Sequence, residues 1–136
     1  MKKITPQNLV EMAKDLIEAR YEKDNHHSVV AAAVLTTSGN VYLGLNTGTT
    51  QPSIATCAEI IAIGSANTAE EKMEIDTIVA VRDVPSYVIS PCGKCREYIA
   101  DYGKNATVVL PAKNKRGWTT AKIGDLLPCK YEKKTK

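Results

Sequence analysis

No stretch of this chain comes near the roughly 20 consecutive apolar residues that a membrane-spanning helix requires. Met1-Lys2-Lys3 leads into a polar helical pattern and not into the apolar core of a signal peptide. A cytoplasmic location with no membrane partner is therefore expected. Strong charge of either sign is also missing. The formal net charge is +3, and the basic excess gathers in the tail at Lys130, Lys133, Lys134 and Lys136. Such a run reads as a solvated end and gives no reason to expect a nucleic-acid partner. Histidine is scarce. The only two, His26 and His27, stand side by side before a strand-like run, a loop position that reads as exposed and not as metal-ligating. Internal repeats are absent, and so is low complexity beyond the lysine-rich end. At 136 residues the chain can bury one real core but not two, so residues 1–136 are expected to form a single domain.

What the chain does have is four cysteines, two of them in Cys92-Gly93-Lys94-Cys95. In a reducing compartment that pattern points to metal or redox chemistry over a disulfide framework. The segments Thr56-Cys57-Ala58-Glu59 and Ser90-Pro91-Cys92-Gly93-Lys94-Cys95-Arg96 together offer three thiolates and a carboxylate. A helix opening at Pro91 puts Cys92 and Cys95 on one face of its first turn, near the positive end of its dipole, where thiolate is favoured over thiol. With Cys57 they make three ligands, which leave a tetrahedral zinc one open position.

The rest of the chain reads as scaffold. Thr5-Pro6 starts an amphipathic helix over residues 6 to about 22, with Leu9, Met12, Ala13, Leu16 and Ile17 at helical spacing. Ser28 to Leu35 and Val41 to Leu45 read as two strands joined by the tight turn Ser38-Gly39-Asn40. Asn46 to Ser53 is a loop. A helix from about Ile54 to Ala66 carries Cys57 and is apolar around most of its circumference, so it is buried by a sheet or by a neighbouring subunit. Ile75 to Val81 is a strand that Val84 to Ile89 continues towards the second motif. The next helix runs from Pro91 to a glycine cap at Gly103. Ala106 to Leu110 and Trp118 to Ala121 are strands whose short link forces antiparallel pairing, and Ile123 to Pro128 closes the domain with a helical turn. The order implies a three-layer α/β domain: one mixed five-stranded sheet with helices on both faces.

Several readings of the motifs stand side by side at this point. Zinc on three thiolates is an anionic site, and Arg96, directly after Cys95, is the natural cation to support it from behind as a donor to sulfur. Glu59 would then take a proton from water and pass it on. Thr56-x-x-Glu59 is equally a capping box that merely starts a helix. Cys129 would make a fourth thiolate and close the site as a non-catalytic, structural zinc module. A redox Cys-x-x-Cys is a third possibility, and Asn46 can serve simply to end a strand.

Cys57-Ala58-Glu59 followed by Ser90-Pro91-Cys92-Gly93-Lys94-Cys95-Arg96 resembles the zinc-dependent cytidine deaminases. The stretches His27 to Ala33 and Leu127-Pro128-Cys129-Lys130-Tyr131 look most like the blasticidin S deaminase branch of that family. The resemblance implies a cytidine-deaminase-like fold and a homotetramer whose sites are lined by neighbouring subunits. It implies one zinc per subunit on Cys57, Cys92 and Cys95, with Glu59 as proton shuttle. It implies that a cytosine nucleoside, or an antibiotic built like one, is hydrolysed to its uracil form with release of ammonia. Carried over by position, the Ala58 backbone N–H meets the pyrimidine carbonyl, the Ser90 carbonyl meets the amino group, and Asn46 meets a sugar hydroxyl. Tyr131 takes the place of a C-terminal phenylalanine in a chain that has no phenylalanine. Gly48 stands where cytidine deaminases similar to this one carry a glutamate that shares the sugar hydroxyl.

Overall fold

The computed structural model describes residues 2–21 and 29–135; His26 and His27 lie outside the described residues. Helix α1 (Pro6–Tyr21) opens where the sequence places its cap. Asn8 N–H donates to the Thr5 hydroxyl at 3.2 Å, and Thr5 N–H donates back to Asn8 Oδ1 at 2.9 Å. This reciprocal pair satisfies two amides that a helix start leaves unbonded. The helix buries Leu9, Val10, Ala13 and Ile17.

Among the described residues the six strands are β1 (Val30–Thr36), β2 (Val41–Leu45), β3 (Ile75–Arg82), β4 (Tyr87–Ile89), β5 (Thr107–Pro111) and β6 (Trp118–Lys122). They form one sheet in the order β2-β1-β3-β5-β6, with β4 also on β3. The β3/β5 pairing is parallel and every other pairing antiparallel, so the sheet is mixed. The sixth strand is the one departure in strand count. Val84 to Ile89 does not extend β3; it turns back, and Tyr87–Ile89 pairs with Ala80 to Arg82. The β5 and β6 strands pair antiparallel, as their short link requires.

Alternation along the strands divides the core. Ala31, Ala33, Leu35, Val79 and Val81 face α1, whereas Ala32, Val34, Ile78 and Ala80 face α2 (Ala58–Ala69) and α3 (Gly93–Tyr102). The short α4 (Ile123–Leu126) adds Ile123 to this second layer. The result is three layers with helices on both faces.

Helix α2 lies unusually close to the sheet because both surfaces are small. Ala58, Ala62 and Ala66 are buried at a spacing of four, and opposite them Gly44 leaves no room for a side chain. A Cβ there would stand 2.5 Å from the Ala58 carbonyl oxygen and 2.5 Å from the Ala62 nitrogen. Within one chain α2 is covered on this face only; Gly64 and Ser65 point outward and are exposed. Gly103 ends α3 as expected, but for a different reason. Its φ of −162° is extended, not left-handed, and a Cβ would stand 2.7 Å from that of Ile75. It is a glycine of close approach.

Candidate active site

The sheet delivers two helix N-termini to one place. After β2 the loop folds back on itself through a bridge between Thr47 and Thr56, whose amides and carbonyls bond mutually at 2.9 and 3.0 Å. A 3-10 turn at Pro52–Ile54 shortens the path. Cys57 is then the N-cap of α2, and its carbonyl accepts from the amides of Ile60 and Ile61. Cys92 is the N-cap of α3, and its carbonyl accepts from Arg96 N–H. Both helices thus begin later than their sequence suggests: α2 at Ala58 instead of near Ile54, and α3 at Gly93 instead of Pro91. The shift has a chemical consequence, because each cysteine lies at the positive end of a helix and not inside it.

It also removes the capping-box reading. Thr56 belongs to the bridge, the N-cap is Cys57, and no side chain caps α2. Glu59 is left with no capping role, and it is 4% exposed. Burial pushes its carboxyl above the usual carboxylate range, opposed by its own backbone N–H and by a hydrogen bond from the Cys95 thiol. A buried carboxyl that titrates nearer neutrality is suited to exchanging a proton.

The sulfurs of Cys57, Cys92 and Cys95 all lie within 4.8 Å of one another. Cys95 is fully buried, Cys57 half-buried and Cys92 exposed. Burial raises the Cys95 thiol strongly, and the neighbouring Glu59 charge adds to it. Burial also raises Cys57, countered in part by a hydrogen bond from Cys95. For Cys92 burial acts upward too, but the Cys95 backbone N–H and the two neighbouring thiols outweigh it and the net shift is down. Three packed thiols therefore resist ionising together for want of a counter-charge. A divalent cation supplies that charge, and a soft sulfur donor set suits zinc. Three protein ligands with a fourth position open is the pattern of a catalytic zinc. Cys129 is not part of the cluster. It is exposed and lines a separate open groove of about 830 Å³ under the C-terminal tail, so a closed four-cysteine site is overturned.

A cavity of about 240 Å³ opens onto this cluster, lined by Val29, Val30, Asn46, Ala55, Thr56, Cys57, Ala58, Glu59, Arg82, Ile89, Ser90 and Cys92. Asn46, Ala58 and Ser90 are thus brought together with Glu59 and two of the sulfurs. Asn46 does end β2, its N–H donating to the Val30 carbonyl, but its side chain does more. Oδ1 accepts from both Val29 and Val30 N–H at 2.8 and 2.9 Å, which fixes the amide at the cavity wall. Tyr131 is not brought there: it is 78% exposed on the tail and lines the other groove.

Arg96 departs from expectation. Its described hydrogen bonds go from Nε to the Pro91 carbonyl at 3.0 Å, from Nη1 to the Leu126 carbonyl at 3.1 Å and from Nη2 to Ser90 Oγ at 3.1 Å. They brace the cysteine loop against α4, and none of them goes to a sulfur. Arg82, Val30 and Ile89 were not singled out from the sequence. The signal that could have found Arg82 is strand parity, since it shares a face with Ile78 and Ala80.

Residues 3–111 match the model of the cytidine and deoxycytidylate deaminase zinc-binding region. The chain is 40% identical over 130 residues to the blasticidin-S deaminase of Bacillus cereus, with 90% of this chain and 89% of that protein covered. It is 30% identical over 104 residues to a cytidine deaminase of Sporosarcina psychrophila, covering 76% and 75%. The crystal structure of cytidine deaminase from Burkholderia pseudomallei superposes with a TM-score of 0.75 at 30% identity, over 94% of this chain and all of that one. That of Bacillus anthracis, at 23% identity and a TM-score of 0.75 over 92% and 88%, shares the fold. Because the matched region spans the sheet from β1 to β5 and takes in all three sulfurs, the chain belongs to the cytidine and deoxycytidylate deaminase family of zinc-dependent hydrolases.

Proposed function

We propose that residues 1–136 form one catalytic domain that hydrolyses the C4 amino group of a cytosine nucleoside, or of a nucleoside antibiotic such as blasticidin S, to give the uracil form and ammonia. The observation that carries this is the buried Glu59 carboxyl sharing one cavity with the sulfurs of Cys57 and Cys92, with Cys95 completing the cluster. Zinc held by the three cysteines supplies the Lewis acidity that lets water ionise near neutral pH.

Glu59 takes one proton from the water and delivers it to ring N3 as the oxygen attacks C4. Glu59 then takes the proton of the resulting C4 hydroxyl and delivers it to the amine, so that the C4–N bond breaks, ammonia leaves and the C4 carbonyl forms. Its raised carboxyl pKa supports both halves of that task. The Ala58 N–H, in the first turn of α2, is assigned to the pyrimidine carbonyl, and the Ser90 carbonyl to the amino group. Asn46, fixed by its two backbone hydrogen bonds, is assigned to a sugar hydroxyl. Arg96 holds the cysteine loop and offsets the charge of three thiolates. The relatives' names favour cytidine and blasticidin S as the first substrates to try.

A homotetramer is supported by the outward face of α2, where Ile60 and Ile61 flank an open depression with Gly64 and Ser65. Tyr131, exposed on the tail, would reach a neighbour's cavity in such an assembly. Four free thiols suit a reducing compartment such as the cytoplasm, and no helix among the described residues is long and apolar enough to cross a membrane. Ammonia release from zinc-loaded protein, measured with cytidine, deoxycytidine, blasticidin S, cytosine and guanine, tests the reading. Turnover of at least one of the cytosine nucleosides and none of guanine is expected; no release from any cytosine compound contradicts it.

A further inference from the structure

Among the described residues, the one basic side chain lining the cavity is Arg82. It is the last residue of β3, and it pairs in register with Val30 on β1 and Tyr87 on β4. Val30 is also the residue that exchanges hydrogen bonds with Asn46: its N–H donates to Asn46 Oδ1, and its carbonyl accepts from Asn46 N–H. Asn46, Val30 and Arg82 therefore form one cross-strand row at the cavity. At the usual strand separation the backbones of Asn46 and Arg82 are about 10 Å apart, two strand spacings. Alternation puts Arg82 on the face it shares with Ile78 and Ala80, the face covered by α2 and α3. It stands where that cover stops, since both helices begin at the cavity.

The charge at this position is unexplained by the fold. Arg82 makes an ion pair with its neighbour Asp83, Nε to Oδ2 at 3.5 Å, with the two side chains 49% and 38% exposed. A pair so exposed is weak. Asp83 does not line the cavity, and its Oδ2 also accepts from the Tyr87 hydroxyl at 3.3 Å. The pair engages Nε; among the described residues no hydrogen bond or ion pair engages the terminal nitrogens, the ones with which arginine grips two oxygens of one acid group. Among the described residues Glu59 is the only carboxylate lining the cavity, and it stands with Cys57 and Cys92 at the sulfur cluster. If Asn46 contacts the sugar, as in the function proposed above, a substituent on that sugar is within reach of the strand row that ends in Arg82.

Resting on that reading, we propose that Arg82 is a specificity-determining contact for an acid group, carboxylate or phosphate, carried by the sugar of the cytosine nucleoside. The preferred substrates are then acidic cytosine nucleosides, with cytidine itself a poorer one.

The test is equilibrium binding to the zinc-loaded full chain of three product-like ligands: uridine, uridine 5′-carboxylate and uridine 5′-monophosphate. Deamination of the corresponding cytosine compounds is followed alongside. The wild-type protein is expected to bind one or both acids about 10- to 100-fold more tightly than uridine, the range a hydrogen bond between charged groups provides. R82Q is expected to bring that ratio close to one, and R82K to keep part of it. In turnover, the loss for the acidic substrate falls on KM and not on kcat. Which acid shows the preference identifies its source. The proposal is overturned if the wild type prefers neither acid, if R82Q keeps the preference, or if R82Q weakens all three ligands alike, which is what a wall or folding role produces. Wild-type protein that binds these ligands but releases no ammonia overturns the deaminase reading, and the ratio still decides the role of Arg82.

Discussion

The sulfurs of Cys57 and Cys92 stand 3.7 Å apart although 35 residues separate them in the chain. They meet because each caps a helix and the sheet aims both helix starts at one cavity. Replacing Cys57, Cys92 or Cys95 singly with serine is expected to abolish stoichiometric zinc, and replacing Cys129 is expected to retain it. Metal analysis of the purified variants checks this. Loss of zinc from the Cys129 variant alone would contradict the three-sulfur site.

The approach of α2 to β2 sets where Cys57 and Glu59 lie, and Gly44 permits that approach. The change Gly44→Ala drives a methyl into the backbone of Ala58 and Ala62. A destabilisation of about 1–3 kcal/mol is expected from such overpacking, with weakened zinc binding because the helix start moves. Denaturant unfolding and a zinc titration measure the two effects. Full stability together with unchanged zinc affinity would show that the helix is not held this way.

Arg96 ties the cysteine loop to Leu126 and Ser90. The change Arg96→Gln is expected to cost about 1–3 kcal/mol through acceptors left without donors. If Arg96 offsets the thiolate charge as proposed, the activity profile should also shift to higher pH, because ionisation beside three thiolates then lacks that positive charge. Thermal melts and a pH–rate profile measure these. An unchanged profile with lowered stability would reduce Arg96 to bracing alone.

Glu70, just past α2, accepts hydrogen bonds at Oε1 from Asn40 Nδ2, the Thr36 hydroxyl and the Tyr42 hydroxyl. The Asn40 bond leads in holding its carboxyl below the usual range; burial works against this, and the bonds from Thr36, Tyr42 and Ser38 support it. A carboxyl lowered by folding stabilises the native state above its unfolded pKa of about 4.3, and that contribution is lost as pH falls through the folded value. Glu70→Gln should therefore lower Tm at neutral pH, and the gap to the wild type should narrow on acidification through that range. A gap independent of pH would show that the network does not depend on the charge.

The parts of the fold legible in the sequence are those carried by local pattern. The apolar spacing of α1, the turn between β1 and β2 and the short link between β5 and β6 all read correctly, and the sulfur ligands were legible from spacing joined to family likeness. The starts of α2 and α3 were less legible. Thr56 satisfies its backbone across a loop to Thr47, a bond between segments that no local capping pattern encodes. The strand β4 was hidden for a similar reason, since Val84 to Ile89 reads as extended in either direction and only pairing shows that it reverses. Gly103 reads as a cap because sequence cannot distinguish a glycine needed for its φ from one needed for its lack of a side chain. A charged residue such as Arg82 at a strand end is ordinary until the ends of four strands are seen to line one cavity.

The central claim is that Glu59 moves protons in a zinc site and does not merely support it. The decisive measurement is paired, on Glu59→Gln: zinc content and thermal midpoint on one side, ammonia release from the best substrate on the other. Glutamine preserves size and hydrogen bonding but can neither accept the water's proton nor return it. Zinc and stability are expected to stay near wild type while turnover falls by at least about 10²- to 10⁴-fold, the contribution of general acid–base catalysis. Retained zinc, retained stability and retained turnover together would contradict the account.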